Sequence, residues 1–259
     1  MTKVVILSAG MGTRLRPYSE NKPKSMVELF GVPMLIRQLN VIENYLDKKN
    51  ISAVIGYKSE CLNGVVENLF YNPRYNETNM VYSLFCAKDF MDDDLIICYG
   101  DIIYENYVFE KLLQSDGDVS VVVDTGFYDL WSMRSDNPVE DTESLKIDSD
   151  GNLLELGKKI YSMDEPQGQY IGLIKVSKNY INNFISFYEE KKLKADDCSK
   201  FENMYMTDFI QSIIDSGVKV SAVTINKGWI EVDTVEDLEV YENLYKSGDI
   251  NKFIKLSNE

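Results

Sequence analysis

The residues that could do chemistry in this 259-residue chain begin near its start. Residues 4–7 (VVIL) form a short apolar run, followed by Ser8, Ala9, Gly10, Met11, Gly12, Thr13 and Arg14. Two glycines at the end of a strand pattern admit backbone angles closed to other residues, so successive N–H groups can turn toward one anion and a ligand can approach the main chain. Arg14 adds a planar cation suited to paired phosphate oxygens, and Lys22 and Lys24 add compact charges from the same loop. Three cations and a glycine turn at one strand end suit a triphosphate. Two familiar phosphate loops do not fit. Leu15 stands where a dinucleotide fingerprint needs its third glycine, and no Gly-Lys-Ser/Thr follows to make a Walker loop.

The elements that must position this loop alternate between strand and helix patterns. Residues 35–44 have helical spacing, 51–57 read as a strand, and 59–70 suit a helix ended by Asn72-Pro73. Asn79 is placed to cap a helix running to residue 90, and residues 95–99 (LIICY) form a buried strand ending at Gly100-Asp101. Residues 119–124 read as a strand and 127–143 as a polar loop carrying Trp131 and Arg134. Strands over 144–148, 152–157 and 169–176, with Asp150-Gly151 as a hairpin turn, suggest a smaller antiparallel extension. Helices over 177–191 and 206–216 and a strand over 219–225 follow, and Thr234-Val235-Glu236-Asp237 fits a capping box that opens the last helix. Such alternation predicts an α/β fold, a mostly parallel sheet with helices on both faces. In such sheets ligands lie at the carboxyl ends of strands, where both the glycine loop and Asp101 fall.

Composition narrows the chemistry. The formal charge is −15, which argues against nucleic-acid partners and anionic membrane surfaces, and there is no histidine to act as a general base or zinc ligand. Catalysis must then run on carboxylates, lysines, arginines and a hard cation such as Mg²⁺. Four cysteines at irregular spacings signal neither a zinc site nor a disulfide framework. No apolar run approaches a membrane span, and the start reads as a strand without a signal core, so a cytoplasmic location is expected.

G-x-G-T-R at residues 10–14, Pro17, P-K-S-M at 23–26 and G-V-P-M at 31–34 together resemble the signature of the nucleotidyltransferase superfamily, which joins a nucleoside triphosphate to a phosphorylated small molecule. The resemblance implies a metal-binding role for Asp101, at the end of the central strand, and for Asp233 in W-x-E-x-D-T-x-E-D-L (residues 229–238), with Glu231 as a weaker candidate two residues earlier. N-x-x-x-S-L from Asn79 through Ser83, G-D-I from Gly100, L-G-K-K-I at 156–160 and Q-Y-I-G at 169–172 resemble the cytidylyltransferase branch that activates phosphocholine and related phosphorylated or phosphonylated molecules, along nearly the whole chain. The implied fold is a Rossmann-like three-layer α/β sandwich with a mixed, mostly parallel sheet and an inserted β extension. One domain over 1–259 is expected, its nucleotide core at about 1–125 and 205–247 and its acceptor extension at about 126–204. The implied reaction transfers CMP from CTP with Mg²⁺. Arg14, Lys24 and Asp101 are the expected catalytic residues, and residues 8–14 with Lys24, Asn79, Ser83 and Gly100 the nucleotide contacts. Products of this branch serve surface polysaccharide, lipid or phosphonate decoration, and a homo-oligomer is compatible with it.

The acceptor side is less defined. Trp131, Tyr170, Tyr205 and Trp229 are candidates for an aromatic cage around an ammonium, Asp208 and Glu143 for a partner to a cationic acceptor, and Arg134 and Lys158 for its phosphate. Arg134 also suits a carboxylate, which keeps phosphorylated amino acids or amides and aminoalkyl phosphonates in view. Two other readings are a sugar-1-phosphate nucleotidyltransferase and a non-catalytic nucleotide-binding regulator.

Overall fold

A computed structural model describes residues 1–135 and 137–256. Its centre is a seven-stranded sheet. In chain order the strands of the protein are β1 (Lys3–Ser8), β2 (Glu28–Leu29), β3 (Val32–Pro33), β4 (Ile51–Ile55), β5 (Asn68–Tyr71), β6 (Leu95–Tyr99), β7 (Ile102–Tyr104), β8 (Val119–Asp124), β9 (Glu143–Ile147), β10 (Leu153–Lys159), β11 (Gln169–Val176), β12 (Val220–Ile225) and β13 (Trp229–Glu231). The central order is β12-β8-β11-β6-β1-β4-β5, with β11 antiparallel to both neighbours and the other pairings parallel. Strands covered on both faces read as unbroken apolar runs, which is why Val4, Val5 and Ile6 are all fully buried.

The helices are α1 (Met34–Ile42), α2 (Met80–Phe85), α3 (Asn106–Leu113), α4 (Tyr128–Arg134), α5 (Ile181–Leu193), α6 (Cys198–Glu202), α7 (Met206–Asp215) and α8 (Val235–Ser247). Two apolar cores result. One joins Val4 and Ile6 to Leu35 and Leu39 of α1, Phe109 of α3 and Tyr241 of α8. The other joins Val5 and Ile97 to Leu84 of α2, Phe184 of α5 and Phe209 of α7. Alternate residues of β1 thus face opposite cores, as a pleated strand requires. No helix among the described residues is long and apolar enough to cross a membrane.

Four expectations are corrected. Residues 59–70 form a short 3-10 turn (Ser59–Leu62) and the edge strand β5, because Gly64 adopts φ 78° and Asn68 donates to the carbonyls of Lys49 and Ile51. Residues 127–143, apart from residue 136, which lies outside the described residues, contain α4 and a 3-10 turn (Pro138–Asp141) instead of a loop. The apolar pair Leu130 and Trp131 supplies a buried face for that helix. Residues 169–176 form β11 of the central sheet, where all but Gln169 are buried, so the antiparallel extension is the ribbon β9–β10 alone. The helix after Asn79 also stops at Phe85, with a separate turn at Lys88–Phe90.

Candidate active site

Parallel β1 and β6 end side by side, with Leu7 paired to Tyr99. Beyond them Gly100 donates to the carbonyl of Leu7 at 3.1 Å, and a Cβ on Gly100 would lie 2.5 Å from that oxygen. Only glycine lets the two strand ends approach this closely. The buried amide of Gln38, on α1, donates to the carbonyls of Tyr99 (2.9 Å) and Ile102 (2.8 Å) and so clamps the turn that carries Asp101.

The next turn is held by a short ribbon. β7 and β13 pair antiparallel, with Glu231 opposite Ile102, and Val232 donates to the carbonyl of Asp101 at 3.0 Å. Asp237 completes the expected capping box: its N–H meets Thr234 Oγ1, while its Oδ2 accepts from Asp233 (2.8 Å) and Thr234 (3.0 Å). Residues far apart in sequence, 101 and 231–233, are thereby fixed together. Asp101, Glu231 and Asp233 bring carboxylate oxygens within 4.8 Å of one another.

Lys24 reaches into this cluster. Its Nζ lies 2.6 Å from Asp101 Oδ2 and also bonds Asp233, while Arg14 Nη2 lies 2.6 Å from Asp233 Oδ2. Burial pushes the Lys24 ammonium down, but Asp101, Asp233 and Glu231 together more than offset it and hold it above its ordinary value. Burial pushes Glu231 up to about 7, with Arg134 opposing and Asp101 and Asp233 reinforcing. The ammonium occupies the meeting point of two carboxylates, a place suited to a cation. Oxygen donors without histidine or cysteine suit a hard divalent ion, so the residues present fit one.

A cleft of ≈ 160 Å³ opens beside the cluster. Ser8, Ala9, Gly10, Lys24, Asn79, Ser83, Gly100 and Asp101 of the expected residues line it. Ser8 Oγ, buried at its edge, has no hydrogen-bond partner among the described residues. Nothing stands within 4 Å of the Cβ position of Gly10, so the main chain there is open to a ligand. Gly12 alone of the two loop glycines is left-handed (φ 59°), and a Cβ there would lie 2.8 Å from Lys24 Cβ. Met11, Gly12, Thr13 and Arg14 do not line the cleft; their loop leads from it toward Asp233. Lys22 pairs with Glu28 at 3.7 Å and faces a separate cleft beside α8.

The acceptor candidates do not assemble as expected. Trp131 and Trp229 are 2% and 1% exposed, packed against each other at 5.7 Å, with their ring N–H groups donating to the Asp141 carbonyl and to Asp124. Tyr170 is buried behind cleft-lining Tyr99, whereas Tyr205 is 60% exposed. No open cage is formed by these four. Arg134, 3% exposed in its side chain, is gripped by Asp237, and Lys158 projects outward and pairs with Glu155 at 2.7 Å. Asp208 is exposed at the start of α7 and Glu143 at the start of β9, where partial desolvation of its carboxyl, followed by the nearby Asp208 and Asp141, raises it against a counteracting hydrogen bond from Thr207. These two remain near each other.

Sequence reasoning missed Gln38 and the cleft residues Ser25, Tyr75, Thr78, Met80 and Tyr99. Gln38 had a readable signal, a lone amide on the apolar stripe Leu35, Leu39, Ile42. Ser25 lies within the P-K-S-M segment at 23–26, and the others carry no spacing that marks them.

Known proteins share this sequence pattern. Residues 3–123 match the model of the family described as Nucleotidyl transferase. A CTP:phosphoglutamine cytidylyltransferase of Campylobacter jejuni is 39% identical over 249 residues, covering 91% of this chain and 97% of that protein. A bifunctional protein GlmU of Methanocaldococcus jannaschii is 29% identical over 97% of this chain, which spans 56% of that protein's length. The fold matches the structure of the CTP:phosphocholine cytidylyltransferase from Streptococcus pneumoniae with a TM-score of 0.71 at 19% identity, over 94% of this chain and 99% of the other.

Proposed function

We propose, from the premise that this chain belongs to the nucleotidyl transferase family, that it transfers CMP from CTP to a phosphorylated small molecule, releasing pyrophosphate and a CDP-linked product. The observation that carries this reading is the convergence of Lys24, Arg14, Asp101 and Asp233 at the edge of a strand-end cleft. The 39% identity to a phosphoglutamine enzyme supports a phosphorylated amino-acid amide as acceptor, ahead of phosphocholine, an aminoalkyl phosphonate or a sugar 1-phosphate. We read residues 1–259 as one catalytic unit, acting in the cytoplasm.

In this reading an oxygen of the acceptor's phosphate forms a bond to the α-phosphorus of CTP as the bond to the bridging α–β oxygen breaks and pyrophosphate departs opposite. The reacting groups repel one another by charge, so alignment and positive charge matter more than proton transfer. Absence of histidine is then no obstacle. Lys24 neutralises the α-phosphate, and Arg14 with the N–H groups of residues 10–13 holds the β- and γ-phosphates. Ser8, Asn79, Ser83 and Gly100 bound the nucleoside end. Asp101 and Asp233, with Glu231, would hold a divalent cation, in our reading Mg²⁺, which when bound supplies further positive charge to the phosphates.

The test is pyrophosphate release with Mg²⁺, crossing four nucleoside triphosphates with phosphoglutamine, phosphocholine, phosphoethanolamine, 2-aminoethylphosphonate and hexose 1-phosphates. Release with CTP and phosphoglutamine is expected. Release only with a hexose 1-phosphate would keep the chemistry and overturn the acceptor; no release with any pair would overturn both.

A further inference from the structure

We propose that Arg134, although it touches no part of the cleft, is a positioning residue for the cation-binding carboxylates, holding Glu231 and the Asp233 segment in register from behind. The inference rests on the assignment of Asp101, Glu231 and Asp233 to a divalent cation made above. One guanidinium faces both parts of that cluster. Nε and Nη2 donate to Asp237 Oδ1 and Oδ2 at 2.9 and 3.1 Å, and Nη1 lies 3.6 Å from Glu231 Oε2. Asp237 Oδ2 in turn accepts the backbone N–H of Asp233. Arg134 is therefore one contact from Glu231 and two from Asp233.

The geometry is more than a structural charge pair requires. A buried arginine must be neutralised, and the fork to Asp237 already does that. Nη1 nevertheless is buried without a hydrogen-bond partner among the described residues, and it is directed at Glu231. Trp131, itself buried, lies under the guanidinium at 4.7 Å and packs on Trp229, two residues before Glu231. Both the plane of the fork and its distance from β13 are thus set by rings that cannot move into solvent. Carboxylate ligands keep their orientation through contacts of this outer kind, and losing one typically weakens metal binding about 10- to 100-fold.

Charge and geometry can be separated. Removing the cation outright would relieve repulsion of a bound metal as well as loosening Glu231, so the informative change is Arg134→Lys, which keeps the charge but cannot fork to Asp237 while reaching Glu231. Mn²⁺ alone is titrated onto the nucleotide-free protein and followed by the electron paramagnetic resonance of the free ion, with a thermal melt of each protein alongside. The expected result is Mn²⁺ affinity lowered about tenfold or more in the folded variant, with kcat reduced and the KM for CTP at saturating Mg²⁺ near its original value. Unchanged Mn²⁺ affinity in a folded Arg134→Lys protein overturns the proposal. Should that variant not fold, Asp237→Asn decides: it breaks the charged fork while retaining acceptor capacity for the N-cap, and unchanged Mn²⁺ binding there also overturns it. The binding readout needs no turnover, so lack of activity with every nucleotide would sink the functional reading while leaving this inference to be judged by the Mn²⁺ titration.

Discussion

The ends of β1 and β6 and the segment from α4 through β10 use polar and aromatic residues in opposite ways. At the strand ends the backbone dictates the outcome. Gly100 must be glycine for the strands to approach, Gly12 must be left-handed against Lys24, and the carboxylates of residues 101 and 233 are locked by the β7–β13 ribbon and the capping box. In the second region the side chains with the most chemical promise do not line the cleft. Trp131 and Arg134 form a buried stack, and Lys158 pairs outward with Glu155. A group tied to a turn between elements has its direction fixed by main chain, whereas an aromatic or arginine in a helix can face core or cleft with equal ease.

If that contrast is right, substitutions at the strand ends should dominate activity. Asp101→Ala is expected to lower kcat by at least about 10³ with the thermal midpoint kept, and chelation by EDTA should have the same effect, reversed by Mg²⁺. Turnover near the original rate in either experiment would remove the carboxylate cluster from the reaction. Lys24→Met follows, with kcat down about 10²- to 10³-fold. Its loss also leaves Asp101 and Asp233 facing each other without their shared cation, so Mn²⁺ should bind to the variant at least as well as to the unaltered protein. Weaker Mn²⁺ binding would mean that Lys24 builds the cluster instead of balancing its charge.

The two loop glycines sharpen the comparison. Gly12→Ala combines φ 59° with a methyl 2.8 Å from Lys24 Cβ, so a stability loss of about 1–2 kcal/mol and roughly tenfold slower turnover are expected. Gly10→Ala meets nothing within 4 Å. It should melt like the unaltered protein while raising the KM for CTP, because the methyl would stand where a ligand approaches the chain. Equal effects on stability at both positions would show that the loop is not held in this shape.

How much could be read from sequence follows the same division. β1, β6, β8, β11 and the last helix were legible because buried parallel strands are unbroken apolar runs and Thr234 to Asp237 is a local capping pattern. Residues 59–70 were not, since their apolar spacing is helical while Gly64 and the edge of β4 impose a turn and strand. The limits of β11 are legible in its sequence pattern, but its place in the central sheet is not, because nothing local tells a strand which sheet it joins. Residue types at strand ends pointed to the carboxylate cluster, but burial of Trp131, Trp229 and Arg134 depends on contacts more than 90 residues away in sequence, between α4 and the 229–237 segment.

The smallest effect is expected at Lys158, and it probes the second region most directly. The side chain is 61% exposed and satisfied by Glu155, which Lys146 also engages at 3.0 Å, so removing it leaves no buried charge unpaired. Exposed pairs of this kind contribute little to stability. Lys158→Ala should therefore melt within error of the unaltered protein and keep the acceptor KM within about twofold. An acceptor KM raised tenfold, with the KM for CTP unchanged, would mean that β9–β10 closes over the bound acceptor and carries Lys158 to its phosphate. The contrast between the two regions would then be one of timing: strand-end groups set before substrate arrives, and extension groups recruited by it.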